Sequence, residues 1–158
     1  MPDSKAGFQV IFVRHAKAGS RQAWEGDDRV RPLTSAGRRQ ANGLVAQLKA
    51  MGVERILSSP YQRCVETVEP LARLRGLEVE KTEALAEGAG LDAFLKLVDE
   101  IGASAVYCGH ADLAVSLLEP LVESRLVKAA DARLQKGSSW VLERRNGRFR
   151  RARYVAPP

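Results

Sequence analysis

Apolar and polar positions fall along this chain in blocks of two kinds. The run Phe8-Gln9-Val10-Ile11-Phe12-Val13 is short and almost continuously apolar, as expected of a strand buried on both faces. Residues 16–33 are polar and irregular, with Gly19, Gly26 and Pro32. Such a loop is long for a compact domain, and loops of that kind are often functional. Thr34 then offers an N-cap, and Ala41, Leu44, Val45, Leu48 and Met51 follow at helical spacing to a stop at Gly52. Val53 to Leu57 is a second short strand. Residues 61–75 return to helix, with Tyr61, Cys64, Val65, Val68, Leu71 and Ala72 on one face. Pro70 lies inside that pattern and is expected to kink or split it, because it lacks an amide donor and clashes with the preceding turn.

The second half repeats the alternation. Leu77 to Val79 reads as a third strand and 80–90 as a loop. Leu91, Phe94, Leu95, Val98 and Ile101 mark a third helix, closed by Gly102. Residues 105–108 form a strand. Leu113, Leu117, Leu118 and Leu121 mark a fourth helix, with Pro120 near its end. Asn146-Gly147 joins the strand-like runs Ser139 to Arg145 and Arg148 to Val155, a strong hairpin signal because both turn positions need positive φ. Strands alternating with helices predict an α/β fold: three layers, α/β/α, a mostly parallel central sheet and a C-terminal antiparallel hairpin. Without repeats or long linkers, residues 1–158 read as a single domain.

Composition changes this picture little. The content is 45% hydrophobic and 28% charged, as in ordinary soluble globular chains. No apolar stretch approaches the roughly 20 residues of a membrane helix, so no membrane partner is expected. Residues 1–7 hold no signal-peptide apolar segment. Cys64 and Cys108 read as reduced core residues, consistent with a cytoplasmic setting, and no Cys/His spacing suggests a metal. The net charge is +6, which favours anionic partners without specifying chemistry.

The chemistry rests on the chain's two histidines. His15, preceded by Arg14, ends the first strand; His110 follows the fourth strand after one glycine. Both imidazoles therefore belong at the carboxyl ends of a parallel sheet, where open α/β sheets bind ligands. Arg63, soon after the second strand, brings a further guanidinium to the same edge. Two arginines and two histidines make a cationic pocket, and guanidinium forks suit tetrahedral oxyanions such as phosphate. Amides near Tyr61, at a helix start, could add donors. A histidine in such a pocket can attack phosphorus and hold the phosphoryl group covalently.

These residues carry a resemblance. Arg14-His15-Ala16 resembles the Arg-His-Gly signature of the histidine phosphatase superfamily. Leu33-Thr34-Ser35-Ala36-Gly37-Arg38-Arg39-Gln40-Ala41 is similar to its Leu-Thr-x-x-Gly-x-x-Gln-Ala segment, and Ser59-Pro60-Tyr61-Gln62-Arg63-Cys64-Val65-Glu66-Thr67 to its Ser-Pro-x-x-Arg-x-x-x-Thr segment. Leu85-Ala86-Glu87 resembles its acid segment and Gly109-His110 its late histidine. The resemblance implies a phosphatase in which His15 is the nucleophile and transient phosphohistidine. It implies that Arg14, Arg63 and His110 bind phosphoryl oxygens and that Glu87 is the general acid and then the base. It implies no metal and no cofactor, because cationic side chains supply the charge stabilisation.

Departures from the pattern add candidates. Ala16 replaces the usual glycine, which implies a slight backbone displacement. Arg21 stands where many members have asparagine, with Ser20 beside it, and both are candidate substrate contacts, to a second phosphate or an acidic partner. Asp112 is read as a cap of the following helix, and as a second candidate proton donor after Glu87. Small members of the family that are phosphohistidine phosphatases imply a phosphorylated protein as substrate. Residues 16–33 also resemble the domain that follows a Nudix domain in some actinobacterial proteins, which implies a nucleotide or other small phosphorylated molecule. A third reading is a non-catalytic phosphoprotein- or nucleic-acid-binding module, against which the intact Arg14, His15, Arg63 and His110 set argues.

Several neighbouring residues have plainer readings. Lys17 is expected in solvent, and Asp27 and Asp28 in local contacts with Arg29 or Arg31. Trp24 packs either a lid or the core. The hairpin arginines, Arg144, Arg145, Arg148, Arg150, Arg151 and Arg153, could contact nucleic acid with Phe149 and Tyr154 stacking on bases. The favoured reading is an edge strand guarded by charge, without a nucleic-acid partner.

Overall fold

The computed structural model describes residues 6–158. In chain order its elements are β1 (Phe8–Arg14), α1 (Ser35–Leu48), β2 (Arg55–Ser58), α2 (Gln62–Arg75), β3 (Val79–Lys81), α3 (Leu91–Ile101), β4 (Ala105–Gly109), α4 (Ala111–Glu123), β5 (Ser139–Arg145) and β6 (Arg148–Val155). The strands form one sheet in the order β3-β2-β4-β1-β5-β6. The pairs β3–β2, β2–β4 and β4–β1 are parallel; β5 runs antiparallel to β1 and β6 antiparallel to β5. This is the three-layer, mostly parallel arrangement that the hydrophobic pattern predicts.

The period of two along β1 divides the core. Val10 and Phe12 join Phe94, Val98, Leu113 and Leu117 on the α3/α4 face. Ile11 and Val13 join Leu44, Leu48, Val68 and Leu71 on the α1/α2 face. Between β1 and β4 the connections depart to opposite faces, α1 to one and α4 to the other. Strand ends that diverge in this way leave a crevice, and His15 and His110 stand on its two sides.

Three local expectations are revised. α2 runs unbroken through Pro70; packing of Val68, Leu71 and Ala72 outweighs the single missing donor. α1 ends at Leu48 instead of continuing to Gly52. Its C-terminal region is completed from α2, where Arg75 donates to the carbonyls of Lys49, Met51 and Val53 at 3.0, 2.6 and 2.9 Å. β3 begins only at Val79, because the Leu77 amide still bonds back to Ala72 across the left-handed Gly76 cap (2.9 Å).

The hairpin turn has Asn146 at φ 52° and Gly147 at φ 72°, as an Asn-Gly turn requires. β6 forms the sheet edge, with Arg148, Arg150, Arg151 and Arg153 exposed. Phe149 lies under the Arg144 guanidinium at 4.6 Å and Tyr154 against Trp140 at 5.2 Å, so both rings are already engaged. That favours the charged-edge reading over base stacking. Among the described residues no helix is long and apolar enough to cross a membrane.

The start of α1 is pressed onto the chain leaving β1. Thr34 caps the helix by accepting the Gly37 amide at 3.1 Å, and its own amide donates to the Lys17 carbonyl at 3.0 Å. A Cβ on Gly37 would come within 1.9 Å of that carbonyl oxygen. Gly37→Ala should therefore destabilise the fold by about 1–3 kcal/mol despite alanine's better helix propensity. A urea midpoint that is unchanged or raised would contradict this packing.

Candidate active site

The segment around His15 is fixed before any side chain is considered. The His15 amide donates to the Gly109 carbonyl at 3.0 Å, tying the end of β1 to β4. The Gly137 amide is shared between the Arg14 and His15 carbonyls, each at 3.1 Å. The Ala16 amide donates to the Thr67 hydroxyl (2.9 Å), which in turn donates to the Arg63 carbonyl (2.7 Å). One threonine thus registers α2, and with it Arg63, against the loop that carries His15. Ala16 is fully buried at this junction.

His15 is 6% exposed. Its Nδ1 lies 2.8 Å from the Ala16 carbonyl, which can only accept, so the ring proton belongs on Nδ1 and Nε2 keeps its lone pair. Burial, above all, lowers its pKa to about 3; Arg63, His110 and Arg14 push in the same direction, against the Ala16 hydrogen bond. The ring is therefore neutral near pH 7. His110 lies with its ring centroid 5.6 Å from that of His15 and 4.7 Å from that of Tyr61. Its Nε2 is 2.8 Å from the Ser59 hydroxyl and 3.6 Å from the Cys64 thiol, while its buried Nδ1 has no hydrogen-bond partner among the described residues.

Arg14 gives one nitrogen to the Leu134 carbonyl at 2.7 Å, and burial lowers its pKa. Arg63 is fully buried, as Tyr107 and Phe12 are. Its guanidinium lies 4.9 Å from the Tyr61 ring centroid and donates to Asp28 twice, to the backbone oxygen at 2.9 Å and to the carboxylate at 3.1 Å. The structure therefore brings Arg14, His15, Arg63 and His110 together at one end of the sheet.

Asp28 departs from the sequence reading. It bonds Arg31 as expected (2.9 Å), but it also accepts from Arg63, 35 positions away. Burial alone would raise its carboxyl pKa, but Arg31 and Arg63 hold it below the ordinary value. Arg31, legible in the sequence only as a local partner, is 6% exposed and also donates to the Gly19 carbonyl. A signal for it was present: an arginine followed by Pro32 and Leu33, beside an acidic pair. Asp27 caps its own turn by accepting the Arg29 amide at 2.9 Å. The Trp24 indole donates to the Asp27 carbonyl at 2.9 Å, so Trp24 braces this loop and does not enter the core.

Glu87 reaches the pocket rim. It accepts from Arg21 at 2.8 Å and lies 3.9 Å from Arg63. Arg21 also approaches Asp28, at 3.8 Å. Ser20 is exposed, its hydroxyl 3.4 Å from the Ala23 amide in a local turn. Asp112 does not cap α4, whose N-cap His110 makes no side-chain capping bond. It accepts the Gly88 amide at 2.8 Å instead, and so secures the loop that presents Glu87. Tyr61, at the N-cap of α2, spends its amide on the Ser59 hydroxyl at 3.2 Å. Among the described residues no group of His, Cys, Asp and Glu has an arrangement that could hold a metal ion.

Residues 10–93 match the family model of the histidine phosphatase superfamily, branch 1. The chain is 35% identical over 156 residues to the 8-oxo-(d)GTP phosphatase of Mycolicibacterium smegmatis. That alignment covers 94% of this chain and 48% of the relative, so the chain spans about half of the curated protein that it matches. Among solved structures it is similar to a protein assigned as the phosphohistidine phosphatase SixA from Agrobacterium tumefaciens, at 26% identity and TM-score 0.80, covering 97% of this chain and all of that one. The fold is also shared with the protein histidine phosphatase SixA complexed with tungstate, at 21% identity, TM-score 0.70, and 94% and 95% coverage.

The buried neutral His15 has a consequence for stability. Its native pKa is depressed, so between about pH 6.5 and 3 the unfolded chain binds a proton that the native state refuses. Stability from this group is complete above about pH 6.5 and is lost as pH falls, at up to about 1.4 kcal/mol per pH unit. In urea titrations from pH 7 to 4, His15→Asn should show a shallower acid-side loss than the natural chain. Identical slopes would mean that His15 takes up its proton normally in the native state.

Proposed function

The chain belongs to the histidine phosphatase superfamily, and from that premise we propose that it is a metal-independent phosphohydrolase working through a phosphohistidine on His15. The observation that carries this reading is the state of His15: buried, neutral, with Nδ1 held by the Ala16 carbonyl and Nε2 free beside Arg14, Arg63 and His110. In the proposed reaction Nε2 forms a bond to phosphorus as the bond to the leaving-group oxygen or nitrogen breaks. The electron pair departs with the leaving group, which Glu87 protonates. Glu87 then takes a proton from water as that water attacks phosphorus and frees His15. Arg14, Arg63 and His110 bind the phosphoryl oxygens, supplying the charge stabilisation that a metal supplies elsewhere. The Ser59 hydroxyl already accepts from Tyr61, so it can donate to His110 Nε2 and leave the ring proton on Nδ1, the atom without a protein partner. Glu87 lies 3.9 Å from Arg63, whereas Asp112 holds the Gly88 amide, and this position beside the cluster favours Glu87 as the acid.

Two substrate classes have support from different observations. Likeness to the Agrobacterium SixA protein supports phosphohistidine on a partner protein. The relationship to the Mycolicibacterium 8-oxo-(d)GTP phosphatase supports a phosphorylated nucleotide, and Arg21, which reaches the rim to pair with Glu87, supports a contact to charge beyond the transferred group. We read residues 1–158 as one such domain, supported by a single sheet running from Phe8 to Val155. Two buried free cysteines support a reducing, cytoplasmic setting.

His15→Ala should abolish phosphate release from an aryl phosphate, a phosphohistidine protein and nucleoside di- and triphosphates while leaving the circular dichroism spectrum unchanged. Release at the natural rate would remove His15 as the nucleophile. Glu87→Gln should slow substrates with poor leaving groups by about 10²–10⁴-fold and activated aryl phosphates much less. Equal losses across leaving groups would remove Glu87 as the acid.

A further inference from the structure

Apart from Arg14, which donates to the Leu134 carbonyl, the cations around His15 fall into two groups. Arg21, Arg31 and Arg63 each face a carboxylate, at 2.8 Å to Glu87, 2.9 Å to Asp28 and 3.1 Å to Asp28 respectively. Lys17 and Lys136 have no ion pair among the described residues. Their backbones, however, are pinned by one side chain. The Gln40 amide accepts the Lys17 N–H at 2.9 Å through Oε1 and donates to the Lys136 carbonyl at 3.1 Å through Nε2. The next residue after Lys136 is Gly137, whose amide holds the Arg14 and His15 carbonyls. One lysine therefore leaves β1 directly behind His15 and Ala16, and the other stands on the approach to β5, clamped to the same strand end.

The electrostatics agree with this placement. Partial burial, then the fields of Arg14, Arg31, Lys17 and Arg63, depress the Lys136 pKa. Both lysines are exposed, yet Gln40 holds their backbones side by side at the strand end, so two solvent-facing ammonium side chains start from neighbouring points among Arg14, Arg31 and Arg63. Such a cluster favours an anion of higher charge than one phosphoryl group, whose oxygens Arg14, Arg63 and His110 already serve in the reading above.

We propose that Lys17 and Lys136 form a second anion subsite beside the phosphoryl pocket, which receives the adjoining phosphate of a substrate carrying two or more linked phosphates. The proposal rests on His15 marking the phosphoryl pocket. It distinguishes a diphosphate group, whether inorganic or part of a nucleotide, from a lone phosphoryl group on a protein side chain.

The test is direct binding of orthophosphate, pyrophosphate and a nucleoside diphosphate to the full chain carrying His15→Ala, so that nothing turns over. Pyrophosphate should bind at least about tenfold more tightly than orthophosphate, and Lys17→Gln with Lys136→Gln should reduce that ratio to about two or less. Lys49→Gln with Lys96→Gln, which removes the same charge elsewhere, should leave the ratio unchanged. A nucleoside diphosphate that follows pyrophosphate through both pairs of variants places its phosphates in this subsite. Equal affinity for ortho- and pyrophosphate would overturn the proposal. So would an equal loss for both ligands in the lysine pair, which would signify general attraction. Absence of His15-dependent hydrolysis in the natural chain would defeat the catalytic reading alone, because the binding ratio is measured without turnover.

Discussion

A guanidinium with no exposed surface sits at the centre of this molecule's site, and much of the surrounding architecture satisfies it. A buried charge is costly unless paired and hydrogen-bonded. Arg63 is paired by Asp28, covered by the Tyr61 ring and registered against the His15 loop through Thr67. The 16–33 loop therefore cannot be an idle connection: it delivers the carboxylate that balances the charge. Arg31, from the same loop, holds the other oxygen of that carboxylate. His15 is shaped by the same environment, since the burial that demands a partner for Arg63 also keeps the imidazole neutral.

The parts legible in the sequence are those set by local rules. β1 is an almost continuous apolar run, Thr34 is an N-cap, and Asn146-Gly147 can make its turn with both φ angles positive. The two histidines at strand ends needed only the alternation of strand and helix to be placed together. What escaped is tertiary. Pro70 stays within α2 because its neighbours are packed, a fact absent from the helical pattern. Asp112 carries the signature of a helix cap, yet the Gly88 amide on another loop claims it. Asp28 and Arg31 look like a local i,i+3 pair, and only the folded chain shows that the pair closes over Arg63. Lys17 and Lys136 are 119 positions apart along the chain, and nothing in their flanking residues announces that Gln40 spans both.

The family's short segments acquire separate physical meanings in this frame. The glycine of the Leu-Thr-x-x-Gly segment permits contact with the Lys17 carbonyl, and the glutamine of that segment joins the two strand-end loops. The threonine closing the Ser-Pro segment links α2 to Ala16, and its serine meets His110. These residues are neighbours of the chemistry and hold its coordinates.

In the proposed reaction the Asp28 contact also bears on how phosphate leaves. An oxyanion that takes the Arg63 nitrogen facing Asp28 competes with a carboxylate that is already covalently part of the chain and always at hand. An internal competitor of this kind weakens the hold on a small free anion more than on a substrate with further contacts to offer. On the proposed reading, it tilts the site against retention of product.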